Sequence, residues 1–215
     1  MYTTGQQQVV AAFDFDGTLT TSDSLLAFIR FTHGLRRLLV GFVRHAPLLL
    51  AMKLGFCSNG KAKERVFAYF YKGTPYSQFV QWGEDFAGVA GTMLNKEMVK
   101  RLQQHLACGH TVCVVTASID EWVRPVCKRL GVGTVLATRI EVSPDGTLTG
   151  RFITPDCYGP EKLSRLLQAF PERRCYRLYA YGDSRGDAEL LAFADVAVSA
   201  RRVSAARCSS AAAAC

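Results

Sequence analysis

The sequence has few acids for its number of bases. Lys and Arg number 26 against 18 Asp and Glu, so the formal net charge is +8. Such a balance favours anionic partners in general, through electrostatic steering. The sequence shows no nucleic-acid-binding module and no basic stripe interleaved with aromatics, so we expect no nucleic-acid partner. The first eight residues have no apolar segment, and we therefore expect no secretory signal.

The sequence also has no long apolar run, even in residues 35–56, its most apolar segment. The longest clean run there, residues 46–52, is much shorter than the about 20 apolar residues that span a bilayer. This argues against a transmembrane helix. Two alternatives stay open: a pair of cap helices packed on their neighbours, and a helix in the membrane interface, which basic residues with Leu and Phe suit. A peripheral membrane contact through residues 35–56 is therefore left open.

No two of the eight cysteines form a Cys-x-x-Cys pair. Cys113 falls in a predicted buried strand and Cys127 in a predicted helix. Scattered cysteines of this kind are typical of reduced core thiols in a cytoplasmic protein, and not of a zinc site or a disulfide framework.

What the sequence does have is enough apolar residues for a large core. Hydrophobic residues make up 49% and charged residues 20% of the 215 residues, which excludes global disorder. From residue 95 onward, helical and strand patterns alternate, which predicts an α/β fold with a doubly wound parallel, Rossmann-like sheet. The predicted strands are 9–13, 111–116, 134–137, 176–181 and 196–199, the predicted helices are 95–107, 120–130, 161–170 and 187–194, and a hairpin joins 140–142 to 148–150.

Between the first strand and the rest, residues 21–91 read as an all-helical insert. Helical spacing predicts helices over residues 23–32, 61–71 and 76–87, and Gly34 is expected to end the first of them. We therefore predict a core made of residues 1–20 and 92–203, a helical cap over residues 21–91, and a flexible tail over residues 204–215.

Two carboxylates, Asp14 and Asp16, directly follow the first apolar strand. At a strand end the backbone turns, so both can approach one centre. A carboxylate at the end of a buried strand must be solvated, paired or metal-bound. The structural alternative is that Asp16 or Thr18 caps the next helix.

Other useful residues fall at the ends of later strands. Ligands bind at the carboxyl ends of strands in open α/β sheets, where Thr116-Ala117-Ser118 and Asp183 are predicted to lie. Lys162, at the start of a predicted helix, adds a cation. The set offers carboxylates for a hard cation and donors for phosphate oxygens. Each member has a structural alternative: a helix cap for Thr116, a solvated Lys162, and a turn and cap for Asp183 and Asp187.

The stretch Asp-Phe-Asp-Gly-Thr-Leu-Thr resembles the first motif of the haloacid dehalogenase superfamily, and Gly-Asp-Ser-Arg-Gly-Asp at 182–187 fits a later one. The resemblance spans about residues 9–200. It implies that Asp14 is the nucleophile that forms an aspartyl-phosphate and that Asp16 is the general acid and base, a residue that dehalogenase members lack. It also implies phosphoryl binding by Thr116 and Lys162, and Mg²⁺ held by Asp14, the Asp16 backbone carbonyl and Asp183, with Asp187 in or just behind the ligand set.

The closest resemblance is to the phosphoserine-phosphatase-like branch, whose cap follows the first motif. Asp23 takes the place of an acid nine residues after Asp14, and Arg65, or less securely Lys63, that of a cap arginine. Substrate contacts would then come from Asp23, Arg65, Thr116, Ala117, Ser118 and Lys162. A small phosphorylated metabolite such as phosphoserine is the expected substrate. Because residues 35–56 depart from the pattern, a lipid phosphate resembling phosphatidylglycerophosphate is an alternative, and a non-catalytic binding protein on the same fold is another. The oligomeric state is not indicated.

Overall fold

The computed structural model describes residues 8–53, 56 and 58–200, without the side chains of Leu49 and Lys53. The predictions for the first residues and for the tail 204–215 lie outside the described residues. The strands are β1 (Gln8–Phe13), β2 (Thr111–Ile119), β3 (Thr134–Thr138), β4 (Ile140–Val142), β5 (Leu148–Phe152), β6 (Tyr176–Gly182) and β7 (Val196–Ser199). The helices are α1 (Ser24–Lys53), α2 (Asn59–Tyr71), α3 (Tyr76–Val89), α4 (Lys96–Ala107), α5 (Asp120–Arg129), α6 (Pro160–Ala169) and α7 (Ala188–Phe193).

Five parallel strands form the central sheet in the order β3-β2-β1-β6-β7, and β4 pairs with β5 as an antiparallel hairpin. Alternate residues of β1 serve two separate cores. Phe13 joins a cluster that includes Met98 of α4, whereas Ala12 joins one that includes Leu166 of α6. A strand covered on both faces must be apolar throughout, which is why its sequence reads as a continuous hydrophobic run. The prediction of an α/β doubly wound sheet is confirmed.

The helical insert leaves and rejoins the core at neighbouring points. The backbone N–H of Thr21 donates to the Met93 carbonyl at 2.8 Å, and that of Asn95 donates to the Leu19 carbonyl at 2.8 Å. The residues between these two crossings contain α1, α2 and α3. Treating residues 21–91 as a cap domain, with 1–20 and 92–203 as the core, stays our interpretation of this arrangement.

Gly34 divides α1 into two helical segments. Its φ of 78° and ψ of 166° are not helical, so the first segment ends there, as predicted, and a second segment runs on to Lys53. Residues 35–53 form this single segment and not a pair of helices. Glycine reaches such a φ without steric cost, so the chain can change direction at this point.

Packing fixes the insert against the core on two sides. A Cβ atom at Gly83 of α3 would lie 2.1 Å from the Glu121 carbonyl oxygen of α5, so only glycine allows this approach. On the other side, the backbone N–H of Phe152 in β5 donates to the Glu64 carboxylate of α2 at 3.0 Å. Between the insert and the core, Phe28 of α1 also stacks on Trp122 of α5 with ring centroids 4.7 Å apart.

Two observations bear on the composition. Among the described residues, no helix is both long and apolar enough to cross a membrane. Cys113 and Cys127 are buried free thiols, as expected.

Candidate active site

Asp14 lies at the carboxyl end of β1, and the fold buries its side chain. Its backbone N–H donates to the Tyr181 carbonyl at 2.8 Å, which extends the β1–β6 ladder by one step and fixes where the side chain begins. The residue is only 4% exposed. Burial raises the pKa of Asp14 to about 7, against the opposing effect of the Lys162 ammonium. A charged Asp14 therefore depends on cations beside it.

Lys162 is that cation, and it bridges two carboxylates. Its Nζ lies 2.5 Å from Asp14 Oδ1 and 2.5 Å from Asp187 Oδ1. Burial disfavours the ammonium, but the two carboxylates outweigh burial and raise the pKa of Lys162. Lys162 thus stays charged at the floor of the site, where a buried lysine must be paired.

Asp187 orders the loop that carries Asp183. Its second oxygen, Oδ2, accepts hydrogen bonds from the Asp183 N–H at 3.2 Å, the Ser184 N–H at 3.0 Å and the Ser184 hydroxyl at 2.7 Å. Burial alone would raise the pKa of Asp187, but Lys162 and Ser184 outweigh it and the pKa is lowered. Both Asp187 oxygens are therefore engaged by donors from the protein.

The loop after β1 and the loop after β6 meet at Gly17. Gly17 has a φ of 75°, and a Cβ atom there would lie 2.8 Å from Asp183 Oδ2. Any other residue would clash with this carboxylate or displace it, so the glycine brings Asp183 close to the turn after Asp14.

The donor set suits a hard divalent cation. Asp14, Asp183 and Asp187 each offer a carboxylate oxygen, and these oxygens all lie within 4.8 Å of one another. Carboxylate oxygens are the ligands that Mg²⁺ takes. Both Asp187 oxygens also accept hydrogen bonds, so Asp187 holds the lysine and the loop in place.

Asp16 faces the insert and not the metal-binding cluster. Its Oδ1 accepts from the Ser24 N–H at 2.8 Å, and its Oδ2 accepts from the Ser24 hydroxyl at 3.1 Å and from the Ser118 hydroxyl. Trp122 Nε1 in turn donates to the Ser24 hydroxyl at 3.1 Å. Burial and the charge of Asp23 raise the pKa of Asp16, while the hydrogen bonds from Ser118 and Ser24 oppose this rise. We call Ser24, Ser118 and Trp122 the Asp16 cradle.

Thr116 sits within β2, which runs three residues further than predicted. Its buried hydroxyl oxygen accepts the Ser118 N–H at 3.0 Å. The pairing of β2 with β3 is irregular between Val115 and Ile119, and the Ser118 hydroxyl reaches Asp16 in the loop after β1.

The insert residues that were predicted to contact the substrate differ in whether they reach the site. Asp23 is exposed, and its carboxylate accepts the Leu26 N–H at 3.1 Å, so it caps α1. Arg65 is exposed on α2, and the structure does not bring it to the cluster. Lys63, the less secure candidate, does reach the site edge: its Nζ lies 2.9 Å from the Ala117 carbonyl and 3.1 Å from Asp156 Oδ1.

Sequence reasoning missed Ser24, Trp122 and Asp156, and it named Ser118 as a substrate contact and not as a partner of Asp16. The only signal in the sequence was the spacing of Trp122, four residues after Ser118 at the start of a helix. Ser24 looked like an ordinary residue of a helix N-terminus. Nothing local indicates that it faces a carboxylate eight residues earlier.

The comparison with known families agrees with this geometry. The family model of the haloacid dehalogenase-like hydrolases matches residues 11–192, which takes in Asp14, Thr116, Lys162 and Asp187. The chain belongs to the haloacid dehalogenase-like hydrolase family.

Individual relatives share nearly the whole chain. Protein CicA of Caulobacter vibrioides is 36% identical over 193 residues, which cover 89% of this chain and 85% of that protein. A solved Bordetella pertussis protein of unknown function has a TM-score of 0.74 at 25% identity and covers 87% of each chain. A substrate-bound phosphoserine phosphatase has a TM-score of 0.64 at 16% identity, covers 90% of this chain and 86% of its own, and shows a shared fold.

Proposed function

We propose that this hydrolase is a Mg²⁺-dependent phosphomonoesterase that works through an aspartyl-phosphate at Asp14. One observation carries the proposal: a buried carboxylate at a strand end, 2.5 Å from a buried ammonium and within metal-sharing distance of Asp183. A carboxylate attacks a dianionic phosphate ester only after the phosphate charge is offset.

The residues of the site divide the steps of this mechanism among them. Lys162 and the Thr116 hydroxyl hold the phosphoryl group, and Asp14 attacks phosphorus while the ester P–O bond breaks. Asp16 gives its proton to the leaving oxygen, which requires it to be protonated at the start; its raised pKa supports that. Asp16 then takes a proton from the water that cleaves the aspartyl-phosphate. Mg²⁺, when bound by Asp14 and Asp183, would neutralise charge on the phosphoryl oxygens.

The substrate we propose is a small phosphorylated metabolite such as phosphoserine. The fold shared with phosphoserine phosphatase supports this, as does Lys63, which places a cation of the insert beside Ala117. A substrate carboxylate would replace the Ala117 and Asp156 oxygens as its partner. A second candidate, a lipid phosphate, is supported by the apolar residues that α1 exposes to solvent.

Enzyme that is quenched with acid during turnover of a substrate with a labelled phosphate should carry the label on Asp14, and hydroxylamine should release it. EDTA should abolish turnover of an aryl phosphate and Mg²⁺ should restore it, whereas Ca²⁺ should inhibit because it takes 6–8 ligands in looser geometry. Full activity in EDTA after exhaustive dialysis, or no labelled aspartate, contradicts the mechanism.

For the substrate, Lys63→Ala and Arg65→Ala form a matched pair. We expect Lys63→Ala to raise the KM for phosphoserine about tenfold or more without changing turnover of the aryl phosphate, and Arg65→Ala to change neither. Faster turnover of a lipid phosphate in vesicles than of phosphoserine would favour the second candidate.

A further inference from the structure

Helix α1 exposes a continuous apolar surface beyond its bend at Gly34. We call this surface the outer face of α1; its members are Leu35, Leu39, Phe42, Val43 and Leu50, with Leu39 at 55% and Val43 at 78% exposure. At 100° per residue, these five side chains fall within about a third of the helix circumference. An exposed apolar stripe of this kind differs from the single exposed leucines that are normal on protein surfaces.

The opposite side of the same helix anchors it to the insert. Leu38 is buried, and the approach at Gly41 is so close that a Cβ atom there would overlap the Phe70 ring. His45 Nδ1 forms a hydrogen bond with the Gly41 carbonyl oxygen at 2.9 Å, and the His45 ring packs edge-on against Tyr69. The helix is thus held with one face inward, and the outer face is presented as a fixed surface.

The charges around this face have one sign. From Ser24 to Lys53 the helix contains no Asp or Glu, while Arg30, Arg36, Arg37 and Arg44 are exposed. Within residues 8–53, 56 and 58–200, none of these arginines takes part in an ion pair. By helical spacing all three of Arg36, Arg37 and Arg44 lie on the Val43 side of the outer face, with Arg36 next to it and the other two further round the helix.

The apolar surface continues onto α2 through an open groove. The groove has a volume of about 600 Å³ and is lined by Leu39, Val40, Val43, Arg44 and Tyr69. Tyr69 itself is 43% exposed and adds an aromatic ring with a polar tip at the edge of the surface. Such side chains suit a boundary between apolar and polar surroundings.

We propose that the outer face of α1 docks on the surface of an anionic lipid bilayer. A helix that lies in the interface buries its apolar face at the boundary of headgroups and acyl chains, and its basic residues meet anionic headgroups. The arginines reach those headgroups with their guanidinium groups while their stems rest on apolar surface. The charge pattern decides between partners, because four exposed arginines without a single acid on the helix are complementary to a uniformly anionic plane.

The test is flotation of the full chain with vesicles of phosphatidylcholine alone or with about a third phosphatidylglycerol. We expect binding to the anionic vesicles only, weakened by 0.5 M salt. An arginine near an anionic surface contributes roughly fivefold to binding, so Arg36→Gln with Arg37→Gln and Arg44→Gln should weaken it about 100-fold. Leu39→Ser with Val43→Ser should weaken it at least about tenfold, since both lose apolar burial.

Matched controls are Lys128→Gln with Arg129→Gln and Arg174→Gln, and Val142→Ser with Ile153→Ser, all exposed outside α1. Every variant should retain aryl phosphate hydrolysis, because none of these side chains lies in the catalytic cluster. Equal losses of vesicle binding in the α1 and control variants would overturn the proposal, as would equal binding to both vesicle types. If the protein did not bind vesicles but formed a dimer, and if Leu39→Ser with Val43→Ser made it monomeric, the outer face of α1 would be the contact with a second copy instead.

Discussion

The proposed catalytic centre and the surface of α1 differ in how their charged side chains are paired. In the centre, Asp14 and Asp187 both contact the Lys162 ammonium, and Asp16 accepts hydrogen bonds from Ser24 and Ser118. On α1, by contrast, the exposed arginines that lie beside the outer face have no acid on their own helix. The net charge of +8 therefore says nothing about the active site, which is locally acidic and suited to a cation. It describes the surface instead.

The largest effect should come from Asp14→Asn, which breaks the centre at its nucleophile. An amide neither attacks phosphorus nor replaces a carboxylate as a metal ligand, so turnover of an aryl phosphate should fall by on the order of 10⁴ or more. The melting temperature should hold or rise, because the buried carboxylate has a raised pKa and is costly to charge. Near-native turnover in this variant, with unchanged circular dichroism, would refute the role of Asp14.

Asp16→Asn should come next, with a loss of about 10²–10⁴ in kcat. The loss should depend on the leaving group. An alkyl phosphate needs protonation of its leaving oxygen, whereas p-nitrophenol leaves readily, so formation of the aspartyl-phosphate should suffer more with the alkyl ester. Single-turnover rates for the two esters measure this, and equal losses would mean that Asp16 is not the general acid.

Ser118→Ala and Trp122→Phe test whether the Asp16 cradle positions the acid. Trp122→Phe removes the Nε1–H donor to Ser24 while keeping a ring to stack on Phe28. Ser118→Ala removes a hydrogen bond to Asp16 itself and Trp122→Phe removes one to Ser24, so both variants should lower kcat by roughly tenfold, within the cost of one hydrogen bond, with KM unchanged. The loss should again be larger for the alkyl ester. Trp82→Phe in α3 is the matched control, and an equal loss there would point to packing alone.

His105 provides a further test of this comparison. It is a buried side chain that becomes a cation when protonated, and none of its hydrogen-bond partners among the described residues is an acid. Its ring nitrogens contact His110 and the Tyr181 hydroxyl, and Tyr179 packs on its ring. Burial, together with the charges of His110 and Arg101, lowers the pKa of His105 to about 4. The unfolded chain, with an ordinary pKa of 6.5, binds the proton first. Stability should therefore fall as the pH is lowered from 6.5 towards 4.

The contribution of one such site is at most about 1.4 kcal/mol per pH unit. Urea unfolding of wild type and His105→Gln at several pH values isolates it from the opposite effect of Asp14. The difference in unfolding free energy between the two proteins should shrink as the pH is lowered. A difference that stays constant between pH 7 and 4 would contradict the assignment.

The smallest effect on the fold should come from the outer face of α1. Leu39→Ser with Val43→Ser changes two exposed side chains, so the free energy of unfolding should shift by no more than about 0.5 kcal/mol per site. Thermal unfolding measures this. A loss of several kcal/mol would show that these side chains are buried in the protein as it exists in solution.

Periodicity was sufficient for most of the fold. Alternation of apolar strands with amphipathic helices predicted the parallel sheet, because a strand covered on both faces must be apolar at every position. Asp14, Asp16, Thr116, Lys162 and Asp183 were identified from their places at the ends of predicted elements. Gly34 was predicted to end the first helix of the insert, and it does so, because glycine reaches a positive φ without steric cost.

The sequence by itself determined that Asp14 and Asp183 follow buried strands, since the apolar runs and the carboxylates directly after them are local features. Only the tertiary structure decided which partners those carboxylates have. Asp16 meets Ser24 and Ser118 because the insert and β2 converge there, and Trp122 donates to Ser24. Lys63 reaches Ala117 while Arg65 faces solvent, because residues two apart on a helix point in directions about 160° from each other. Contacts between residues distant in sequence depend on how helices pack, and no local pattern encodes that packing.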